Sequence, residues 1–61
     1  MARYMAVYTW NGSTMAHFDN SYAHLSALID EAFKDGIDRI QVYTLNRDNV
    51  YEHLLTIREH R

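Results

Sequence analysis

The chain has 61 residues, 6 Lys and Arg against 8 Asp and Glu, and a formal charge of −2 with histidine neutral. Apolar residues make up 48% and there is no cysteine. That composition is globular, leaves room for a single domain over 1–61, and excludes a disulfide framework, a thiolate nucleophile and a cysteine-type zinc site.

No apolar run approaches the ~20 residues of a bilayer span, and no signal-peptide core follows Met1-Ala2-Arg3, so the expectation is a cytoplasmic protein without membrane association. Six basic residues spread over the chain make no stripe for duplex nucleic acid.

Residues 3–10, Arg-Tyr-Met-Ala-Val-Tyr-Thr-Trp, are β-rich and of strand length. Asn11-Gly12 follows, then Thr14-Met-Ala-His-Phe18. Asn-Gly between two such runs is a strong hairpin signal, because a type I′ turn needs φ > 0 at both central residues. The two-residue loop sets a register in which Trp10 faces Ser13, Tyr8 faces Met15, Ala6 faces His17 and Met5 faces Phe18.

Asp19-Asn20-Ser21 offers three candidate helix N-caps. Tyr22, Leu25, Leu28, Ile29, Ala32 and Phe33 then recur at spacings of three and four, predicting an amphipathic helix to about Asp35. Gly36 suits a left-handed stop, with Ile37 folding back on the last turn in a Schellman motif.

Residues 39–45, Arg-Ile-Gln-Val-Tyr-Thr-Leu, alternate cleanly and predict a third strand. Asn46-Arg47-Asp48-Asn49 is a break, and Asn49 with Glu52 resembles a capping box. Val50, Tyr51, Leu54, Leu55 and Ile57 supply the stripe of a second helix, with Arg58, His60 and Arg61 in its last turn.

The expected order is ββαβα, an α+β two-layer domain. Its three-stranded antiparallel sheet has the order 2-1-3, and both helices lie on one face. Parity then divides the strands. Met5, Val7, Thr9, Thr14, Ala16, Phe18, Ile40, Val42 and Thr44 form the compact face, which is assigned to the core. Tyr4, Ala6, Tyr8, Trp10, Ser13, Met15, His17, Arg39, Gln41, Tyr43 and Leu45 form the other, which is left toward solvent.

The chemistry-bearing residues point away from catalysis. His17 and His24 are seven positions apart, as are His53 and His60. On a helix the second pair would stand about 10 Å apart along the axis, too far to share one zinc ion with ligands at ~2 Å. Neither a metal site nor a cofactor is therefore expected. Ser13, Ser21 and Ser26 read as turn, cap and helix-surface residues, and no nucleophile elbow or phosphate loop is present. Asp30 and Glu31 face no visible cleft, so the chain is expected not to be an enzyme.

The solvent face is the functional clue. Tyr4, Tyr8, Trp10, Met15, His17, Arg39 and Tyr43 are the candidate partner-binding residues, because Tyr, Trp, Met and Arg are enriched at protein interfaces. Asp30, Glu31, Asp35 and Asp38 form a possible second, acidic contact. The expectation is a non-enzymatic protein–protein interaction domain that self-associates as a dimer through the aromatic sheet face. Its size suits a small inhibitor or adaptor of the kind that phages and mobile elements direct at host proteins. The alternative is a single-stranded nucleic-acid-binding module stacking bases on Tyr4, Tyr8, Tyr43, His17 and Arg39.

Overall fold

A computed structural model describes residues 1–58. The elements are β1 (Tyr4–Trp10), β2 (Ser13–Asp19), α1 (Tyr22–Lys34), β3 (Arg39–Leu45) and β4 (Tyr51–Arg58). They build a small α+β domain with one antiparallel sheet of four strands in the order β2-β1-β3-β4.

The β1–β2 hairpin follows its turn chemistry. Asn11 and Gly12 take φ of 50° and 78°, the signs that a type I′ loop requires. The loop pairs Trp10 with Ser13, Tyr8 with Met15, Ala6 with His17 and Met5 with Phe18. Ser21 caps α1, its hydroxyl accepting the His24 backbone N–H at 3.2 Å. The helix closes as a Schellman motif. Gly36, at φ +97°, donates its N–H to the Phe33 carbonyl at 3.2 Å, and Ile37 donates to the Ala32 carbonyl at 3.1 Å. Ile37 is thereby folded back into the core.

The second expected helix is a strand. Residues 51–58 extend the sheet as β4, so among the described residues the sheet has four strands and α1 is the one helix that covers it. The reason is a β-bulge. The β3–β4 register shifts between Val42 and Tyr43, pairing Val42 with Leu55 but Tyr43 with His53. Leu54 is the extra residue, so Tyr51 and His53 lie on one face and Leu55 and Ile57 on the other. That parity change gives a strand the apolar spacing of a helix. The intervening break is a hairpin loop rather than a helix start. The Asn46 side-chain oxygen accepts the Asp48 and Val50 backbone N–H groups at 2.9 and 3.0 Å, while its amide donates to Glu52 at 2.9 Å. Asn49 sits at φ 59°. His60 and Arg61, expected in the last turn of that helix, lie outside the described residues.

The core also lies on the other face of β1 from the one expected. β3 pairs with β1 as Tyr8–Ile40, Ala6–Val42 and Tyr4–Thr44. Ile40 and Val42 therefore share a face with Tyr4, Ala6 and Tyr8, not with Met5 and Val7. Ala6, Leu25, Ile29, Ile37, Ile40 and Val42 form the buried core, edged by Tyr4, Tyr8, Ala32, Phe33, Leu55 and Ile57. Ala6 explains the choice. Its single methyl lets α1 approach the centre of the sheet, whereas Met5 or Val7 would hold the helix off.

Candidate functional site

The small core leaves a groove of about 410 Å³ between α1 and the β1–β2 hairpin, lined by Tyr8, Trp10, Met15, His17, Leu28, Glu31, Ala32, Asp35 and Ile37. Its floor is aromatic and aliphatic. Tyr8, Trp10, Met15 and His17 come from alternate positions of the paired strands, and Leu28 and Ala32 from the flank of α1. Trp10 and Met15 are 45% and 52% exposed, so both rings and thioether are open to a ligand. Glu31 on α1 and Asp35 at its C-cap, one turn apart, place two exposed carboxylates on the rim. Burial, and secondarily the Asp19 carboxylate, raises the Tyr8 hydroxyl above its ordinary pKa, so it remains a neutral hydrogen-bonding group.

Four of the seven candidate partner-binding residues thus meet two of the four candidate acidic residues in one groove. The others are dispersed. Tyr4 lies under the start of α1 with its ring 5.5 Å from Tyr22, edge to face. Asp30 lines a second groove of about 320 Å³ on the opposite flank of α1, with Tyr22, Phe33 and Ile57. Asp38 precedes β3, donating its backbone N–H to the Thr9 carbonyl at 3.2 Å. Arg39 and Tyr43 are on the helix-free face, because β3 alternates Ile40 and Val42 toward the core.

That helix-free face is a second surface. Strand register puts Met5, Val7, Phe18, Arg39, Tyr43, Tyr51 and His53 on it. Phe18, 53% exposed, has its ring 5.9 Å from Tyr51, and Tyr43 meets His53 edge to face at 5.5 Å. Among the described residues, no strand position on this face carries a carboxylate. Arg39 thus lies on the bare side of the sheet, whereas Glu31 and Asp35 lie beside the groove on the side that α1 covers.

At the end of the groove, His17, Asp19 and His24 converge. His17 Nε2 lies 3.3 Å from Asp19 Oδ2, and His24 Nδ1 bonds the same oxygen. The other carboxylate oxygen, Oδ1, accepts the Ser21 backbone N–H at 2.9 Å. That backbone bond is the main reason the Asp19 pKa falls to about 2, with the two imidazoles assisting against partial desolvation. The chain turns back between β2 and α1, so the seven-residue spacing that argued against a shared site becomes a direct juxtaposition. A His-x-Asp pair at a strand end, followed by a helix whose first turn carries a second histidine, was the available signal.

No helix among the described residues is long and apolar enough to cross a membrane. No protein-family model matches the chain, and neither a curated protein nor a solved structure is significantly similar to it.

Proposed function

We propose that the protein is a non-enzymatic protein–protein interaction domain, and that the groove between α1 and the hairpin takes a basic, amphipathic segment of its partner. The observation that carries this reading is the pairing of an exposed Trp10–Met15 floor, continued inward by half-buried Tyr8, with the Glu31 and Asp35 carboxylates on one rim. Apolar side chains of the segment occupy the floor, and Lys or Arg reaches the rim. Aromatic and methionine side chains are typical of the centre of such interfaces, and the acidic rim selects against acidic segments. A domain of 7.2 kDa with this architecture suits a small inhibitor or adaptor acting in the cytoplasm, the type that phages and mobile elements deploy against host proteins.

Trp10 is the single tryptophan and sits in the groove, so its fluorescence reports occupancy. The test titrates a synthetic Lys/Leu amphipathic peptide and its Glu/Leu counterpart. The Lys/Leu peptide is expected to change Trp10 emission saturably, with binding weakened at least tenfold in the double variant Glu31→Lys, Asp35→Lys. Equal binding of the Glu/Leu peptide, or no effect of the charge reversal, defeats the reading.

Self-association belongs in this proposal to the helix-free sheet face, where Met5, Phe18, Tyr43 and Tyr51 offer apolar area to a second copy; small domains gain from such burial. Sedimentation equilibrium is expected to give a dimer that Phe18→Asp dissociates.

A second reading has its own observation. The same face combines Phe18, Tyr43 and Tyr51 with Arg39 and His53 and has no carboxylate at its described strand positions, the composition of a base-stacking platform for single-stranded nucleic acid. Anisotropy of a labelled oligonucleotide distinguishes it. Salt-sensitive binding lost in Tyr43→Ala supports the stacking platform, and an unchanged signal removes it.

A further inference from the structure

We infer that His17, Asp19 and His24 form a binding site for a divalent transition metal of the zinc class, independent of the groove's occupant. The three donor atoms lie within 4.8 Å of one another. The 3.3 Å separation of His17 Nε2 from Asp19 Oδ2 is close to the ~3.3 Å edge of a tetrahedron with ligands at about 2.0–2.1 Å. Two imidazoles and one carboxylate are a ligand set that suits zinc, whereas Mg²⁺ and Ca²⁺ favour all-oxygen sites.

The site is also held in place. Asp19 Oδ1 is occupied by the Ser21 N–H at 2.9 Å, which turns Oδ2 toward the two rings. The His24 backbone is fixed by the α1 cap, its N–H donating to Ser21 Oγ, and the His17 backbone by the strand register opposite Ala6. An outer hydrogen bond on a ligating carboxylate is a regular feature of metal sites. The Asp19 side chain is only 12% exposed while that of His24 is 62% exposed, so the carboxylate is sheltered and the approach through His24 is open.

Coordination replaces the imidazole–carboxylate hydrogen bonds. His17 binds through Nε2 and His24 through Nδ1, with the remaining ring proton of each on the other nitrogen. Three protein ligands leave one tetrahedral position for water or for a donor from outside the chain. The metal would staple the end of β2 to the first turn of α1, the junction that forms one end of the groove. Because it binds the folded arrangement, it raises stability by mass action.

The experiment is calorimetric titration of the full chain with Zn²⁺, with Mg²⁺ as the control ion, together with thermal unfolding in zinc and in chelator. The expected result is one saturable zinc site per chain, a rise in Tm with zinc, and no response to magnesium. His17→Ala and His24→Ala should each weaken zinc binding at least tenfold, and His53→Ala should leave it unchanged. Long-range ¹H–¹⁵N spectra keep the test independent of variant folding: zinc should shift His17 Nε2 and His24 Nδ1 while their partner nitrogens stay protonated. Absence of a one-to-one site overturns the inference, as does binding that survives both alanine variants or zinc shifts confined to other histidines.

Discussion

Gly36 ends α1 at φ +97° directly beside the Trp10 indole: a methyl placed on Gly36 would stand 3.9 Å from Trp10 Nε1. The helix stop and the groove floor are thus in touch, and two separate costs of substitution can be weighed. A 3.9 Å approach is ordinary van der Waals contact and costs little. The left-handed backbone is the larger cost, about 1–2 kcal/mol for an L-residue with a Cβ. Gly36→Ala should therefore lower stability by about that amount, and Gly36→Asn by less, since asparagine tolerates the conformation. Denaturant unfolding of the three proteins checks the order, and the Trp10 emission maximum of folded Gly36→Ala should stay close to wild type.

The bulge separates two adjacent leucines. Leu55 packs on the core while Leu54 is 48% exposed. Leu55→Ala should cost about 2 kcal/mol, the lower end of the range for large-to-small core changes, and Leu54→Ala less than about 0.5 kcal/mol, as at other surface positions. A helix at 50–57 would put both on one stripe and make the losses similar. Chemical denaturation of the two variants decides between these outcomes.

The Tyr51 hydroxyl donates to the Ala2 carbonyl oxygen at 2.7 Å, linking β4 to the chain start across the sheet. Removing the hydroxyl in Tyr51→Phe should cost about 1 kcal/mol, the net value of a typical hydrogen bond. Hydrogen exchange should show the loss concentrated in β4 and at residues 2–4 rather than in α1.

Tyr8 gives the chain an alkaline liability. Its folded pKa is raised, first by burial and then by the Asp19 charge, so folding favours the neutral phenol. The associated stability is complete below the unfolded pKa of about 10 and is lost as pH rises through the higher folded value. Tyr8→Phe should therefore lose less stability than wild type between pH 9 and about 11, while behaving like it near pH 7. Parallel denaturant curves at these pH values measure the difference.

Local chemistry made much of the first half of the domain legible. Asn11-Gly12 dictates both the turn and the register of β1 with β2, and Ser21 and Gly36 bracket α1, because each acts on backbone a few residues away. The same local reading failed at Leu54, where one inserted residue disguised a strand as a helix.

Residue patterns alone thus determined the hairpin, the first helix, the third strand and the central place of β1. Tertiary structure decided what no short-range signal encodes. β3 reaches β1 through a helical crossover rather than a tight turn, so nothing local sets their register, and a one-residue difference exchanges the faces. That difference brought Tyr4, Ala6 and Tyr8 beneath α1 and sent Tyr43 and Arg39 to the bare side of the sheet. It also gathered Trp10, Met15 and Tyr8 with Glu31 and Asp35, residues more than twenty positions apart on average in a chain of 61. Packing selected this arrangement because a helix can lie close only over the smallest side chain on the central strand, and that side chain is Ala6.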